Sequence, residues 1–241
     1  MITYDGHQLD TLGICGEPEI NTASFAPDLR DSQSFDGSRF IGTHIAAGSV
    51  MFKMAIIGDN NERRTKLSTL AQWLDVDEPK ALVLPDSPSW YYLAVPSAGF
   101  TPERHIDGEV VELSFTLTDP IAYGEERTIT IPSGGSANVT IGGTAAAMPY
   151  IASAQSVTPN SSTKLYGLRL DDGDIFCLTT GGTGAFTINR LDMGERVVYV
   201  NGALTLPTLD SDWFVLTPGT HKIQNHQGSG QLVLKYRERW L

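Results

Sequence analysis

Cysteine is nearly absent: 241 residues hold two, Cys15 and Cys177. Two cysteines so far apart form neither a metal-binding spacing nor a disulfide framework. Both read as small apolar residues of a reducing compartment. No apolar run approaches the ~18 residues of a membrane span, so no membrane partner is expected. Met1-Ile-Thr-Tyr-Asp-Gly-His7 shows no basic region followed by an apolar one, so no signal peptide is expected. Positive charge is also scarce: 17 Lys and Arg stand against 28 Asp and Glu, a net −11. That balance repels phosphate backbones, which argues against specific nucleic-acid binding, and it favours solubility. There is no Gly-x-Ser-x-Gly elbow, phosphate loop, dinucleotide fingerprint or His-Glu-x-x-His. No cofactor is expected. Long helical periodicity is missing too, and with 24 Gly and 13 Pro the chain reads as mainly β.

What is present is concentrated at the C-terminus. Arg196-Val-Val-Tyr-Val, Asn201-Gly202, Trp213-Phe-Val-Leu, Pro218-Gly219 and Gln231-Leu-Val-Leu-Lys-Tyr-Arg237 follow one another. Asn-Gly between apolar runs marks a type I′ hairpin turn, and Pro-Gly fits a type II turn. Leu232, Leu234 and Tyr236 share one strand face, with Gln231, Lys235 and Arg237 on the other. One dry and one charged face point to an antiparallel sheet in a sandwich.

Along the first half, Met1 to Leu12 predicts two short strands about a turn at Asp5-Gly6. Cys15 to Phe40 is rich in Pro, Asp and Ser and reads as a long loop or arm, with a turn at Asp36-Gly37, that reaches a neighbouring subunit. Ser49 to Ile57 alternates, with Val50, Phe52, Met54 and Ile56 on one face. Glu62 to Leu74 is the clear amphipathic helix, with a stripe of Leu67, Leu70, Ala71 and Leu74 and Trp73 beside it. Pro79 bars continuation. Ala81–Leu84 and Trp90–Val95 predict strands joined through Pro85–Pro88. After a turn at Asp107-Gly108, Glu109–Leu117 predicts a long strand that Asp119-Pro120 ends. This half is an α+β domain.

Ile121 to Glu126 reads as a connector and sets the expected boundary: residues 1–124 as one domain, residues 125–241 as the other. Beyond it, short strands are predicted at 128–131, 137–141, 150–151, 165–170, 174–178, 186–191, 197–200, 204–206, 213–216 and 231–236. Gly134-Gly135, Gly142-Gly143 and Asp172-Gly173 punctuate them. Strands at that spacing argue for a sandwich or jelly roll.

Groups that chemistry could use are each explained by something simpler. Asp171, Asp172 and Asp174 could hold calcium or form a glycosidase pair, but they fall at a hairpin tip where Asp and Gly are turn residues. Asp210 and Asp212 read the same way. His221 and His226 lack a third ligand and read as a surface loop. Thr180–Gly184 is Gly-rich, but no helix follows to complete a phosphate cradle. Trp90, Tyr91, Tyr92 and Trp213 could stack on sugars, yet core packing explains them. No catalytic, cofactor-binding or metal residue is assigned.

The order "VNG … DWFVLTPGTHKI … LVLKYRERWL" resembles the distal tail proteins (the Dit family) of long, non-contractile-tailed bacteriophages. "SRFIG … VMFKMAIIG", "LSTLAQWL" and "VLPDSPSWYYLAV" extend the resemblance through the first half, with "TIPSGGSANV" and "MPYI" in the second. The resemblance implies an N-terminal ring-forming α+β domain and a C-terminal galectin-like β-sandwich. It implies a homo-oligomer, a hexameric ring, that joins the tail tube protein to a fibre or lysin protein at the tail tip. It implies a virion protein assembled in the host cytoplasm, with DNA passing through its lumen. The alternative is a module that binds host-wall polysaccharide through an exposed aromatic platform. A wall hydrolase is a third reading, and it needs two carboxylates in one cleft.

Overall fold

The computed structural model describes residues 1–21, 24–31, 38–106 and 108–241. The expected turn at Asp36-Gly37, and Asp107 of the turn at Asp107-Gly108, lie outside them. The protein is mainly β, with one α-helix among the described residues. The chain divides into two compact units: Met1–Tyr123 with Leu241, and Gly124–Trp240.

The first unit opens with β1 (Thr3–Tyr4) and β2 (His7–Gln8), paired about Asp5 and Gly6, whose φ values of 48° and 78° are both positive. A 3-10 turn at Leu9–Thr11 leads to β3 (Ile14–Cys15) and β4 (Glu19–Asn21), then β5 (Ser24–Asp31) and β6 (Ser38–Ala46). The expected long loop is therefore corrected: β3 and β4 pair with β7 (Gly48–Ile56), and β5 pairs with β6 in a separate two-stranded sheet. The loop reading rested on absent alternation. A ribbon exposed on both faces has no dry side to impose that alternation. In β7 the alternation is complete, with Val50, Phe52, Met54 and Ile56 all buried.

Helix α1 (Asn60–Leu74) begins two residues before the expected start, because Asp59 caps it. Asp59 Oδ1 accepts from the N–H of Asn61 and of Glu62, each at 2.8 Å, and Glu62 Oε2 accepts from Asp59 N–H, a reciprocal capping box. The stripe is corrected in one position. Leu70 is fully buried and Leu67 and Leu74 pack beside it, but Ala71 faces solvent, and Trp73 joins the core instead. Trp73 also stacks on His7, ring centroids 4.5 Å apart.

The unit continues with β8 (Lys80–Val83), β9 (Tyr91–Pro96), β10 (Glu103–His105) and β11 (Gly108–Ile131). Strand β11 pairs with β7 over 109–117 and with β9 over 115–123. It does not stop at Asp119-Pro120, and Ile121–Glu126 is strand, not connector. Proline carries no N–H for a ladder. Here the pairing with β9 shifts register between Asp119 and Tyr123, so Pro120 sits in the irregularity, and the Ile121 N–H is taken by Asp119 Oδ1 at 3.2 Å. The core of this unit gathers Ile2, Tyr4, Leu9, Leu70, Leu82 and Phe115 around β7 and β11.

The second unit takes β11 from Gly124 onward and adds β12 (Ser136–Ile141), β13 (Tyr150–Ile151), β14 (Gln155–Val157), β15 (Leu165–Leu170), β16 (Ile175–Thr179), β17 (Phe186–Asp192), β18 (Val197–Val200), β19 (Ala203–Leu204), β20 (Gly219–Gln227) and β21 (Leu232–Trp240). Within it β19, β18, β17, β13, β21 and β11 lie side by side, and β12, β20, β15 and β16 make a second sheet. One apolar core lies between the two: Leu168, Phe176 and Ile223 come from one sheet, Ile188, Leu232 and Leu234 from the other. Asn201 and Gly202 have φ of 50° and 80°, the positive pair of a type I′ turn. At the tip between β15 and β16 the positive φ belongs to Asp171, not to Gly173.

Two readings fail here. The 213–216 segment is no strand, making only a bridge from Leu216 to Ala147. The supposed loop around His221 and His226 is β20, the centre of the smaller sheet. Its outward residues are polar and its inward ones few, so the apolar pattern stays silent.

Candidate functional site

Of the aspartates read as turn residues, Asp171, Asp172 and Asp210 lie in turns, and Asp174 and Asp212 stand just beyond them. Asp171, Asp172, Asp174, Asp210 and Asp212 are all exposed. No group of three metal-binding side chains occurs among the described residues. The structure does join Asp171 to His221: Nδ1 lies 2.9 Å from Asp171 Oδ2, and Nε2 lies 2.8 Å from the Thr217 carbonyl oxygen. Burial works to lower the His221 pKa, but the bond to Asp171, the bond to Thr217 and the Asp171 charge together raise it. The Asp171 carboxyl is held below its ordinary value by the His221 hydrogen bond and then by the Lys222 N–H. Sequence spacing could not show this pair, which is fifty residues apart.

His226 belongs to a different environment. It sits 3.4 Å from Arg169 Nη2, and burial followed by the Arg169 charge lowers its pKa. The two histidines therefore do not converge on one centre. Thr180 is bonded within its own Gly-rich loop, to the carbonyl of Gly182 at 2.7 Å. Trp213 packs on Phe176, ring centroids 5.0 Å apart, against the core. Tyr91 stacks on Tyr123 at 5.5 Å, and Tyr92 packs against the first unit's core. Neither cysteine is reactive in character: burial, then Asp10, pushes the Cys15 thiol up to about 12, and burial raises Cys177 as well.

The feature with functional character is the β5–β6 hairpin. Phe25 and Ile45 are cross-strand partners, as are Leu29 and Phe40. Alternation along β5 places Phe25, Pro27 and Leu29 on one face. A register shift between Asp28 and Leu29 leaves Ile41 as the extra residue on β6. Phe25, Leu29, Phe40 and Ile41 are each more than half exposed, at 65%, 58%, 61% and 63%. The same ribbon carries Asp28 and His44, 3.1 Å apart. A two-stranded ribbon is marginal by itself, and contiguous exposed apolar side chains of this kind mark an interaction surface. The sequence signal was an island of Phe, Leu, Phe and Ile inside a stretch otherwise rich in Asp, Ser and Pro.

In the second unit, a charged group organises the C-terminal strand. Glu238, with its side chain 8% exposed, accepts from Arg127 Nη1 and from Gly142 N–H, both at 2.8 Å. Glu126 meets Lys235 Nζ at 2.5 Å and the Tyr150 hydroxyl at 2.5 Å. These ties hold β21 to the segments before it.

Comparison with known proteins accounts for both units. Residues 14–117 match the phage tail protein RIFT-related domain. Residues 142–240 match the siphovirus-type tail component, C-terminal domain. No curated protein matches the chain. Among solved structures, the chain is similar to the SPP1 Dit protein, described as a paradigm of the hub adsorption apparatus in phages infecting Gram-positive bacteria. That match has 21% identity and a TM-score of 0.73, covering 100% of this chain and 98% of the other. The phage P2 baseplate in its activated conformation with Ca is more distant, at 10% identity and a TM-score of 0.48 over 92% of this chain and 91% of that one. With a phage tail-protein model matched in each half, over residues 14–117 and 142–240, the chain belongs to the distal tail proteins of siphoviruses.

Proposed function

We propose that the protein forms a hexameric ring at the distal end of the tail, linking the tail tube protein to the fibre or lysin protein of the tip. Residues 1–124 make the ring and residues 125–241 make an outward galectin-like sandwich. The observation that carries this reading is the β5–β6 hairpin, whose apolar residues stand in solvent in the single chain. A neighbouring copy in a closed ring gives them a dry partner, and head-to-tail closure needs no self-complementary patch. The protein works without catalysis or cofactor. It assembles in the host cytoplasm and enters the virion with the tail. DNA passes through the lumen, and the net charge of −11 keeps phosphate from sticking.

The polysaccharide-binding alternative called for an exposed aromatic platform on the second unit. Trp213 is spent on Phe176 and does not supply it. Light scattering over a concentration series, with negative-stain imaging, tests the proposal. Closed rings of about 157 kDa, six times 26.1 kDa, are expected. A monomer at every concentration, also with tail-tube protein added, refutes it.

A further inference from the structure

After an acidic first turn that suits its dipole, helix α1 carries its remaining charges against it. Beyond the Asp59–Glu62 capping box, its N-terminal turns hold Arg63 and Arg64. Its last turn holds no basic residue and is followed by Asp75, Asp77 and Glu78. A helix N-terminus favours anions and a C-terminus favours cations, so this order is unfavourable within the helix. The fold offers little compensation. Among the described residues the exposed side chains of Arg64, Asp75 and Asp77 make no hydrogen bond or ion pair, while Glu78 is tied to Lys80 at 2.8 Å.

At the basic end, a cavity of about 490 Å³ opens between the start of α1 and the β10–β11 strands, with Asn61, Arg64, Arg104 and Glu109 in its wall. Glu109 is nine-tenths buried, yet it meets Arg63 Nε only at 3.9 Å and Arg104 Nε only at 3.7 Å. Arg63 Nε is buried with no hydrogen-bond partner, and the Arg104 side chain is 89% exposed. Among the described residues, the guanidinium groups of Arg63 and Arg104 thus stand near one carboxylate, with Arg64 in the same cavity wall. The helix amides are not the attraction, since Asp59 already occupies them. Arg64 and Arg104, in one cavity wall, can hold an anion together.

The acidic end lies about 22 Å along the same helix, at 1.5 Å per residue. A head-to-tail ring brings two different surfaces of one chain together at each contact, and this helix bears two surfaces of opposite charge. We infer that the cavity bounded by Arg64 and Arg104 on one copy receives the Asp75–Glu78 turn of the next copy. Asp75 and Asp77 supply the carboxylates, and charge sets the direction in which copies add. This inference rests on the ring reading and names its contact.

The test reverses the charges on the full-length chain. One variant carries Arg64→Glu with Arg104→Glu, the other Asp75→Arg with Asp77→Arg. All four sites are exposed, but Arg104 stands 3.7 Å from buried Glu109, so each variant is first shown to be folded by circular dichroism and melting, and Arg64→Glu alone replaces the double variant where that one is not. Each alone should raise the concentration of half-assembly by about ten-fold or more, and wild-type assembly should weaken as salt shortens the screening length below about 10 Å. Mixed one to one, the two variants should rebuild rings with alternating copies, because each then meets its opposite. Wild-type assembly by either reversed variant alone overturns the inference and leaves the ring standing. Failure of the folded pair to rescue overturns it too. Loss of assembly only on reversing Arg64 and Arg104 means that the cavity takes some other anion, which also overturns it. A wild type that stays monomeric even with tube protein overturns both this contact and the ring.

Discussion

The His221–Asp171 pair makes a prediction with a sign. Both ring nitrogens face acceptors, a carboxylate oxygen at 2.9 Å and a carbonyl oxygen at 2.8 Å. Only the doubly protonated ring can donate to both. A hydrogen bond to a charged group contributes roughly 1.5–3 kcal/mol. The His221 side chain is 12% exposed but that of Asp171 is 50% exposed, and screening brings the expected value to about 1 kcal/mol. A histidine whose folded pKa is raised gives stability that is complete below its unfolded pKa, about 6.5, and is lost as pH rises through the folded value. A depressed aspartate gives stability that is lost as pH falls below its ordinary value, about 3.9, through the folded one. The contribution is therefore whole between these limits and fades in alkali. In Asp171→Asn, the side-chain amide can donate to Nδ1 of a neutral ring, while Oδ1 still accepts from Lys222 N–H, which it does at 2.8 Å in the wild type. The pH dependence should then reverse: the variant gains relative stability as His221 deprotonates. Urea unfolding at pH 5.5 and pH 8.5, with the His221 titration followed by NMR, measures both. Equal pH slopes in the two proteins, or a wild-type His221 titrating below 6.5, refute the reasoning.

Other expectations follow from packing and from the proposed role. Gly143→Ala should destabilise by about 2–4 kcal/mol, because a Cβ there would lie 2.3 Å from the Arg239 carbonyl oxygen at a φ of +86°; thermal melting reads the loss. Leu70→Ala should cost about 2–4 kcal/mol of first-unit stability by opening a hole under α1, seen as a lower urea midpoint. Phe25→Ser with Phe40→Ser should leave the melting of the single chain within about 0.5 kcal/mol, since both side chains are solvated, yet reduce ring assembly in light scattering. Asp171→Asn with Asp174→Asn should show the same absence of wall-degrading activity as the wild type; a wild type that releases soluble saccharide from host walls, with the variant inactive, refutes the structural role.

Much of the fold is legible where one face of an element is dry. Val50, Phe52, Met54 and Ile56 announced β7, and Leu232, Leu234 and Tyr236 announced β21, because burial forces period-two alternation. Turn chemistry did the same for Asn201-Gly202, where positive φ selects those residues. The misses have separate causes. Strand β20 places His221, Lys222, Gln224 and His226 along one short stretch with only Ile223 fully buried, so its pattern is polar. Pro120 read as a stop, since a register shift that accommodates a missing N–H leaves no trace in composition. The β5–β6 hairpin read as a loop for the opposite reason: its apolar side chains are not buried within the chain, so nothing inside the chain disciplines their spacing. The pairings that matter most, Asp171 with His221 and Arg127 with Glu238, link residues fifty or more apart and exist only once distant strands lie side by side in one sheet.

That hairpin also fixes what hydrogen exchange should report. Among the described residues, its amides are guarded by one ladder of cross-strand bonds and by no overlying layer. In the isolated chain they open by local fraying, far below the free energy that opens the β7 and β11 core. Once an apolar neighbour sits on Phe25, Leu29 and Phe40, each opening must also undock it. Protection at 25–30 and 39–45 then measures occupancy of the contact residue by residue, and the order in which these amides slow during assembly is a clock for ring closure.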